Sequence, residues 1–330
     1  MKRKIKGGQY VIALVAAFVL GCASSHDFCG SETKTHVKAE ATKRPISPSC
    51  RQSKLSFKLG MARYSMCEHS LDETLDILQD IDCHYMGLLE DSIRYDASDA
   101  EISAYKARCE AHGIEVVSVG PEYYSTEAEC KALFEFARRF GVTYVSVVPY
   151  EVNPEWRQGM PERERRLESD SMMDVLEKCV RAYGIRAAVH NHGPDNAYLY
   201  PTAESAMKRI GNRDKRIGVC LDVGHERRAG LDPVAFIRNN PDRIVEVHLK
   251  NIKIDPVQNF PKEGPRGELD ILGILLALAD VRFSGYCLVE FEKDFKVNET
   301  PLAESFGYYR GVMDTIESWC EHKGGNEAGR

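Results

Sequence analysis

From Phe57 onward, the chain alternates between two hydrophobic patterns. Short runs rich in Val and Ile predict β-strands, and the longer segments between them have the apolar spacing of amphipathic helices. The predicted strands cover residues 57–61, 85–89, 115–119, 143–148, 186–190, 217–222, 243–249 and 286–292. The predicted helices cover residues 70–80, 99–112, 126–140, 161–183, 202–210, 232–239, 270–279 and 305–321.

Signals at the helix ends support this division. Ser70 and Thr126 each precede a glutamate by three residues, as in a capping box. Glycines stand where helix C-termini favour them, at Gly113, Gly141 and Gly184. Strands that alternate with helices eight times favour an α/β fold, a single (β/α)8 TIM barrel. A two-domain dinucleotide-binding fold is the weaker alternative, because no G-x-G-x-x-G follows any predicted strand.

The N-terminal region has the pattern of an export signal. Basic residues precede an apolar stretch over residues 10–20, and the sequence VLGC follows, ending at Cys22. This predicts a signal peptide over 1–21, a lipidated Cys22, a flexible linker over 22–54, the barrel over 55–322 and a disordered tail over 323–330. We expect an exported lipoprotein that faces the periplasm of a bacterium. An ordinary signal peptide, or a start codon assigned too far upstream, is the alternative.

Composition narrows the choice of partners. The 330 residues carry a formal net charge of −6, which argues against a nucleic-acid partner, and no apolar run is long enough to span a bilayer. We therefore expect membrane contact only through the lipid anchor, and oligomeric state stays open. Most of the 11 cysteines are expected to be buried thiols rather than a disulfide scaffold, with Cys29 and Cys50 in the linker a candidate pair.

Polar side chains gather at the ends of the last four predicted strands. Such ends meet at one rim of a barrel, where barrel enzymes place their active sites. The residues are His190, Asn191 and His192, then Asp222 and His225, then His248 and Lys250, and finally Glu290 and Glu292. Each alone has an ordinary explanation as a helix cap, an ion pair or a solvated charge. Their coincidence on four consecutive strands predicts a metal site. Mixed nitrogen and oxygen donors favour one Mn, Co, Zn or Fe ion over Mg.

Several motifs together resemble the xylose-isomerase-like TIM-barrel superfamily of sugar phosphate isomerases and epimerases. They are GVCLDVGH (218–225), VEVHLKN (245–251), GELDILGILLAL (267–278) and GYCLVEFE (285–292), and FKLGMARYSM (57–66) and HGIEVVSV (112–119) agree with them. The resemblance covers about residues 55–320. It implies that a divalent metal is held by residues of strands five to eight, which here are His190, Asp222, His248 and Glu290. It also implies that His225 contacts substrate.

One position departs from the family, which has a glutamate where this chain has His190. In the family's epimerases, two glutamates on opposite faces of the sugar remove and return a proton. A metal-bound imidazole has no lone pair left for that work, so a symmetrical epimerase is disfavoured. One base and a metal still suffice for β-elimination from a keto-sugar or a 3-keto-glycoside. Glu290, His192 or Lys250 is the expected base, and His225 orients or protonates. Asn191, Glu292 and Arg266 are expected to bind the small carbohydrate substrate.

Three alternatives stay open from the sequence. A true epimerase or aldose–ketose isomerase would use His190 as a ligand and Glu290 with a second residue as the acid and base. A carbohydrate-binding lipoprotein would have kept the barrel without catalysis. An endonuclease of the same superfold is disfavoured, because it would need more ligands from the early strands and a basic groove.

Overall fold

The structure, a computed structural model, describes residues 55–150, 161–194, 199–254 and 261–327. Its strands are β1 (Lys58–Ala62), β2 (Tyr85–Leu88), β3 (Glu115–Tyr124), β4 (Tyr144–Pro149), β5 (Arg186–His190), β6 (Ile217–Asp222), β7 (Ile244–Leu249), β8 (Ile252–Ile254), β9 (Pro261–Glu263) and β10 (Tyr286–Val289). Its helices are α1 (Leu71–Asp80), α2 (Asp99–Ala111), α3 (Glu127–Phe140), α4 (Glu162–Tyr183), α5 (Ala203–Ile210), α6 (Val223–Arg228), α7 (Pro233–Asn239), α8 (Ile271–Asp280) and α9 (Glu299–Glu327).

Eight of the strands form a closed parallel barrel in the order β1-β10-β7-β6-β5-β4-β3-β2. This confirms the predicted (β/α)8 TIM barrel. Strands β4, β6 and β7 are buried along their whole length, which explains why they appear as nearly continuous Val- and Ile-rich runs. Strands β8 and β9 pair outside the barrel as an antiparallel hairpin between β7 and α8.

The ends of the helices follow their local sequence. The predicted capping boxes at Ser70 and Thr126 are both present, and Gly141 and Gly184 adopt the left-handed conformation after α3 and α4. The short α6 was not predicted, because six residues carry too little periodicity. The Asp222 side chain begins this helix by accepting the backbone N–H of His225.

Three element boundaries in the C-terminal part of the barrel differ from the predicted ones. β10 ends at Val289 rather than at residue 292, since the N–H of Phe291 is bound by the Ser65 hydroxyl at 2.9 Å. α9 begins at Glu299 rather than at 305, because Pro301 falls in its first turn, where no helical N–H is required. α9 also continues to Glu327, past the predicted end and into the predicted tail. The glycines there weaken a helix without excluding it.

Most of the cysteines in the described part of the chain are buried thiols, as the sequence predicts. Seven carry free thiols, and six of these are buried, among them Cys109, Cys130, Cys179, Cys220 and Cys287. Cys320 is instead disulfide-bonded. The predicted signal peptide, the lipidation site Cys22 and the linker lie outside the described residues and stay predictions. No helix in the described ranges combines the length and the apolar character needed to cross a bilayer.

Candidate metal site and active site

Four neighbouring strands each bring one side chain to the same point at the carboxyl end of the barrel. β5 ends in His190, β6 ends in Asp222, β7 carries His248, and Glu290 directly follows β10. One donor atom from each residue lies within 4.8 Å of the others, and all four side chains are buried. We call these four residues the donor cluster. It is the set that the sequence predicts.

His190 is the member of the donor cluster with unused hydrogen-bonding groups. Neither ring nitrogen has a hydrogen-bond partner among the described residues. Three further imidazoles, His192, His225 and His248, lie with ring centres 5.1 to 6.0 Å away. Burial, and then the neighbouring His248, lower the pKa of His190 well below its usual value, so the ring is neutral. Buried polar groups normally have partners, and a neutral imidazole is the form that binds metals.

Asp222 is fixed through both its side chain and its backbone. Its Oδ1 accepts the N–H of His225 at 2.8 Å. The Asn191 side chain clamps its backbone, because Asn191 Oδ1 accepts the Asp222 N–H at 2.8 Å and Nδ2 donates to the Asp222 carbonyl at 3.1 Å. Burial raises the pKa of the Asp222 carboxyl to about 6. The carboxylate therefore has a defined position before any ligand arrives.

Asn191 is accordingly a structural clamp in this structure, whereas the sequence predicts that it binds substrate. Its amide also donates to Glu226 at 3.1 Å, and the side chain is fully buried. Glu226 in turn accepts the N–H of Ala203 in the first turn of α5 at 2.6 Å. Since the protein itself uses the amide oxygen and both N–H groups, none is left for a sugar. The residue ties the end of β5 to β6 and α5.

Lys250 stands among the acidic residues of the site. Its Nζ lies 3.3 Å from Asp222 Oδ2, 3.3 Å from Glu290 Oε2 and 3.1 Å from Glu292 Oε2, and the side chain is fully buried. Burial alone would raise the pKa of Glu290. The Lys250 ammonium and the His248 ring, 2.8 Å away, outweigh burial and hold that pKa well below its usual range. A divalent cation bound beside these three carboxylates would be attracted by their negative charge.

A divalent ion fits the donor cluster on these observations. Two imidazole nitrogens and two carboxylate oxygens are the donors that Zn, Mn, Fe and Co accept, and the unpartnered nitrogens of His190 complete the set. Cys220 also lies close to His190 and His248. Burial, however, raises the pKa of the Cys220 thiol to about 12, whereas Asp222 and Glu290 ionise readily near neutral pH. We therefore favour the carboxylate-containing set.

His192 and Tyr123 lie at the outer side of the donor cluster. The His192 ring is half-buried and stands 5.4 Å from that of His190, with Nδ1 at 2.6 Å from the Tyr123 hydroxyl. Burial lowers the pKa of His192, so the ring is a neutral base. Tyr123 was missed, because the sequence pattern ends the third strand at residue 119. β3 continues to Tyr124, and this extension brings the Tyr123 side chain to the rim.

Two glycines explain the tight spacing around His225. A Cβ on Gly193 would lie 2.7 Å from His225 Nδ1, and Gly193 has a positive φ of 77°. A Cβ on Gly224 would lie 2.5 Å from the carbonyl oxygen of Lys250. His225 is therefore packed between these backbones, fully buried, with Nε2 at 3.3 Å from Lys250 Nζ. This position suits a residue that orients Lys250 better than one that touches substrate.

Arg266 does not join these residues. The sequence predicts it as a substrate ligand. The structure instead places it on the surface, with Nε at 3.0 Å from Glu304 of α9. The Arg266 side chain is long and exposed, and it lies next to a helix that carries an acidic residue. It therefore forms an ion pair with that residue. Glu292, by contrast, lies beside Lys250 with its side chain 21% exposed, so it can contact a bound molecule.

Glu122 gives the first testable prediction. This half-buried carboxylate accepts the N–H of Glu90 at 2.8 Å, and burial raises its pKa from 4.5 to about 7. Because the folded protein holds this proton more tightly, the contribution of Glu122 to stability is fully present below pH 4.5 and is lost as the pH rises through about 7. In Glu122→Gln, we expect the fall in the free energy of unfolding over this range to shrink by about 2 kcal/mol. Urea unfolding measured across that range tests this.

Glu115→Gln is the matched control, because Glu115 lies at the exposed start of the same strand. It should keep the wild-type dependence on pH. An unchanged dependence in Glu122→Gln would show that this carboxyl does not titrate in that range.

Comparison with known proteins assigns the family. Residues 69–311 match the family model described as xylose isomerase-like TIM barrel. This match spans most of the chain, and the protein belongs to that family. Among solved structures, the fold is similar to a D-psicose 3-epimerase crystallised with D-fructose (TM-score 0.62, 14% identity, 78% of this chain and 99% of that one). It is equally similar to the IOLI protein with a bound zinc atom (TM-score 0.62, 18% identity, 78% and 99%).

The curated relatives match this chain over shorter stretches of sequence. The rhizopine catabolism protein MocC of Rhizobium meliloti is 28% identical over 139 residues, which are 37% of this chain and 41% of that protein. The inosose dehydratase of Geobacillus kaustophilus is 23% identical over 174 residues, which are 47% of this chain and 54% of that enzyme. The chain thus spans about half the length of the curated relatives it matches.

Proposed function

We propose that the protein is a metal-dependent lyase that removes a group β to the carbonyl of a keto-sugar or 3-keto-glycoside. The observation that carries the proposal is the pairing of the donor cluster with one neutral base, His192, at its outer side. A divalent ion bound by His190, Asp222, His248 and Glu290 would act as a Lewis acid toward the substrate carbonyl. The relatives named as inosose dehydratases support an elimination.

His192 is the base in this proposal. In this proposal its Nδ1–H donates to the Tyr123 hydroxyl oxygen, 2.6 Å away, which fixes the ring and leaves the lone pair of Nε2 for the substrate. His192 takes the proton alpha to the carbonyl, and the C–H electron pair forms a C=C bond. The C–O bond at the β-carbon then breaks. The protonated imidazole returns its proton to the leaving oxygen, which departs as water or an alcohol.

The buried ammonium of Lys250 supports the same step. It is held between Asp222 and Glu290, so it stays charged and acts as an electrostatic stabiliser rather than as a base. Negative charge on the substrate oxygen develops next to it. Glu292, which is partly exposed beside Lys250, is positioned to accept a hydrogen bond from a sugar hydroxyl. Three carboxylates already surround the Lys250 charge, so the lysine is not available to bind a phosphate group. This agrees with an unphosphorylated substrate.

An epimerase is the second candidate, favoured by the fold shared with the D-psicose 3-epimerase. Incubation of the purified protein with 3-keto-glycosides and with inososes in D2O separates the two. The lyase releases the alcohol or water and forms an unsaturated ketone. Exchange of the alpha proton for deuterium with no released group would contradict the lyase proposal and support the epimerase. Failure to bind any divalent ion after gentle purification would instead favour a carbohydrate-binding protein without catalysis.

Replacing the proposed base gives a further prediction. In His192→Gln, we expect product release to fall by about 100-fold or more, because general-base catalysis is lost. Metal content should stay at the wild-type level, since the donor cluster is intact. Single-turnover product formation and elemental analysis measure the two. His112→Gln, which changes a partly exposed histidine directly after α2, is the control. If His192→Gln kept the wild-type rate, Glu290 rather than His192 would be the base.

A further inference from the structure

Glu246 is a fully buried carboxylate inside the barrel that none of the steps above uses. It lies on β7 two residues before His248, so both side chains point to the same face of the strand. Its Oε1 is 3.0 Å from His248 Nε2. The sequence pattern treats it only as part of the run 243–249. A charge in the middle of a wholly buried strand is unusual, and it needs a physical reason.

The two nitrogens of His248 face different groups. Nδ1 faces the donor cluster, with Glu290 Oε2 at 2.8 Å, whereas Nε2 faces Glu246. An N–H on Nε2 can donate to the Glu246 carboxylate at 3.0 Å, and Nδ1 is then the nitrogen that faces the donor cluster. When an ion occupies the cluster, Nδ1 would give up its hydrogen bond to Glu290 and serve as the donor atom, while Nε2 keeps its hydrogen bond to Glu246. Metal-binding histidines commonly donate their second N–H to such a carboxylate.

We propose that Glu246 is the positioning residue that fixes the orientation and the protonated nitrogen of the metal ligand His248. It does not touch metal or substrate and acts only through His248. The proposal rests on the proposed metal site. It also accounts for the burial of a carboxylate that contributes no donor atom to the cluster.

The surroundings of Glu246 are built to hold it in this place. The Cys220 thiol on β6 donates to Oε1 at 3.4 Å. The Tyr144 side chain approaches from β4: burial first, and then the nearby Glu246 carboxylate, raise the Tyr144 pKa, while the Tyr144 hydroxyl has no hydrogen-bond partner among the described residues. Neighbouring strands thus supply polar groups at one depth of the barrel, directly below the donor cluster. These contacts hold the carboxylate while leaving the imidazole of His248 as its strongest partner.

The test compares metal binding by Glu246→Leu and Glu246→Gln. Each protein is stripped of metal and titrated with Zn²⁺ or Co²⁺ against a competing chelator. We expect binding to weaken by about 10- to 100-fold in Glu246→Leu, because the orienting hydrogen bond is lost. The loss should be about tenfold or less in Glu246→Gln, whose amide oxygen still accepts from Nε2. Ser118→Ala is the control, since it removes a buried hydroxyl that has no hydrogen-bond partner among the described residues.

A second measurement separates orientation from general stability. In zinc-loaded protein with ¹⁵N-labelled histidine, the Nε2–H of His248 should give a downfield, slowly exchanging proton signal. Glu246→Gln should shift this signal upfield, and Glu246→Leu should lose it. Glu246→Gln keeps the size and hydrogen bonding of the side chain, so it decides the question even where Glu246→Leu fails to fold.

The outcomes distinguish this inference from the proposed function. If the wild-type protein binds no divalent ion, both the proposed metal site and the proposed role of Glu246 are wrong. If the wild type binds metal and both variants bind it within twofold, with the proton signal unchanged, Glu246 is only a buried structural residue. In that case the proposed function would stand.

Discussion

Replacing Asp222 by asparagine is expected to strip the bound metal and to lower product formation by about 1,000-fold or more, the effect of losing Lewis-acid stabilisation worth several kcal/mol. The change removes one of the two carboxylates in the donor cluster. It also removes one of the three acidic partners of the Lys250 ammonium. The clamp from Asn191 acts on the backbone of Asp222, so the strand end itself should keep its position.

The side chain of Asp222 also caps α6, and this gives a matched control. Asparagine is as good an N-cap as aspartate, so the fold should survive the change. Asp270 caps α8 in the same way, by accepting the N–H of Gly273 at 2.9 Å, and it lies on the exposed surface. Asp270→Asn should retain metal and activity. Elemental analysis and initial rates measure both variants, and a fully active Asp222→Asn would remove Asp222 from the site.

The fold was predictable because each unit carries its own local signals. The strand runs repeat eight times, capping boxes and C-terminal glycines mark several of the helices between them, and a parallel barrel satisfies them all. Local signals give no information about hydrogen-bond partners from a distant part of the chain. The N–H of Phe291 leaves the sheet ladder for the hydroxyl of Ser65, which is 226 residues away in sequence. The predicted end of the eighth strand was wrong for that reason.

The same limit applies to the site. Position at the end of a strand predicted the donor cluster, because the closed barrel fixes where strand ends meet. Position alone could not show whether Asn191 faces a substrate. In the structure, its amide is hydrogen-bonded to the backbone of Asp222. Position also missed Glu246. A signal was available there, since a glutamate two residues before a predicted metal-binding histidine shares its face of the strand.

The family resemblance implies a glutamate where this chain has His190, and a glutamate would be costly at this place in the structure. A glutamate at this position would add a third carboxylate to Asp222 and Glu290 in a fully buried cluster that has one ammonium beside it. The neutral imidazole avoids this repulsion. It also leaves His192, the proposed base, as a neutral imidazole beside the cluster, which favours a reaction with one base over a two-glutamate proton exchange.

His190→Glu is therefore expected to change both stability and reaction. Without metal, the free energy of unfolding should fall by about 3–5 kcal/mol, because the new charge is buried without a partner. Added Zn²⁺ or Mn²⁺ should restore much of that loss, since the ion binds the folded state. With metal bound, we expect release of the β-group to fall by about 100-fold or more, because a second carboxylate that can return the proton to the alpha carbon competes with elimination. Exchange of the alpha proton with D2O should rise.

His190→Gln separates charge from shape, because glutamine has the size of glutamate without its charge. We expect it to remain stable without metal, to bind metal more weakly than wild type and to show no increase in proton exchange. Denaturation with and without metal, together with deuterium incorporation into recovered keto-sugar, measures these differences. If His190→Glu loses both release and exchange, His190 acts only as a donor. If it gains exchange while losing release, the imidazole at the end of β5 is what directs the bound keto-sugar toward elimination.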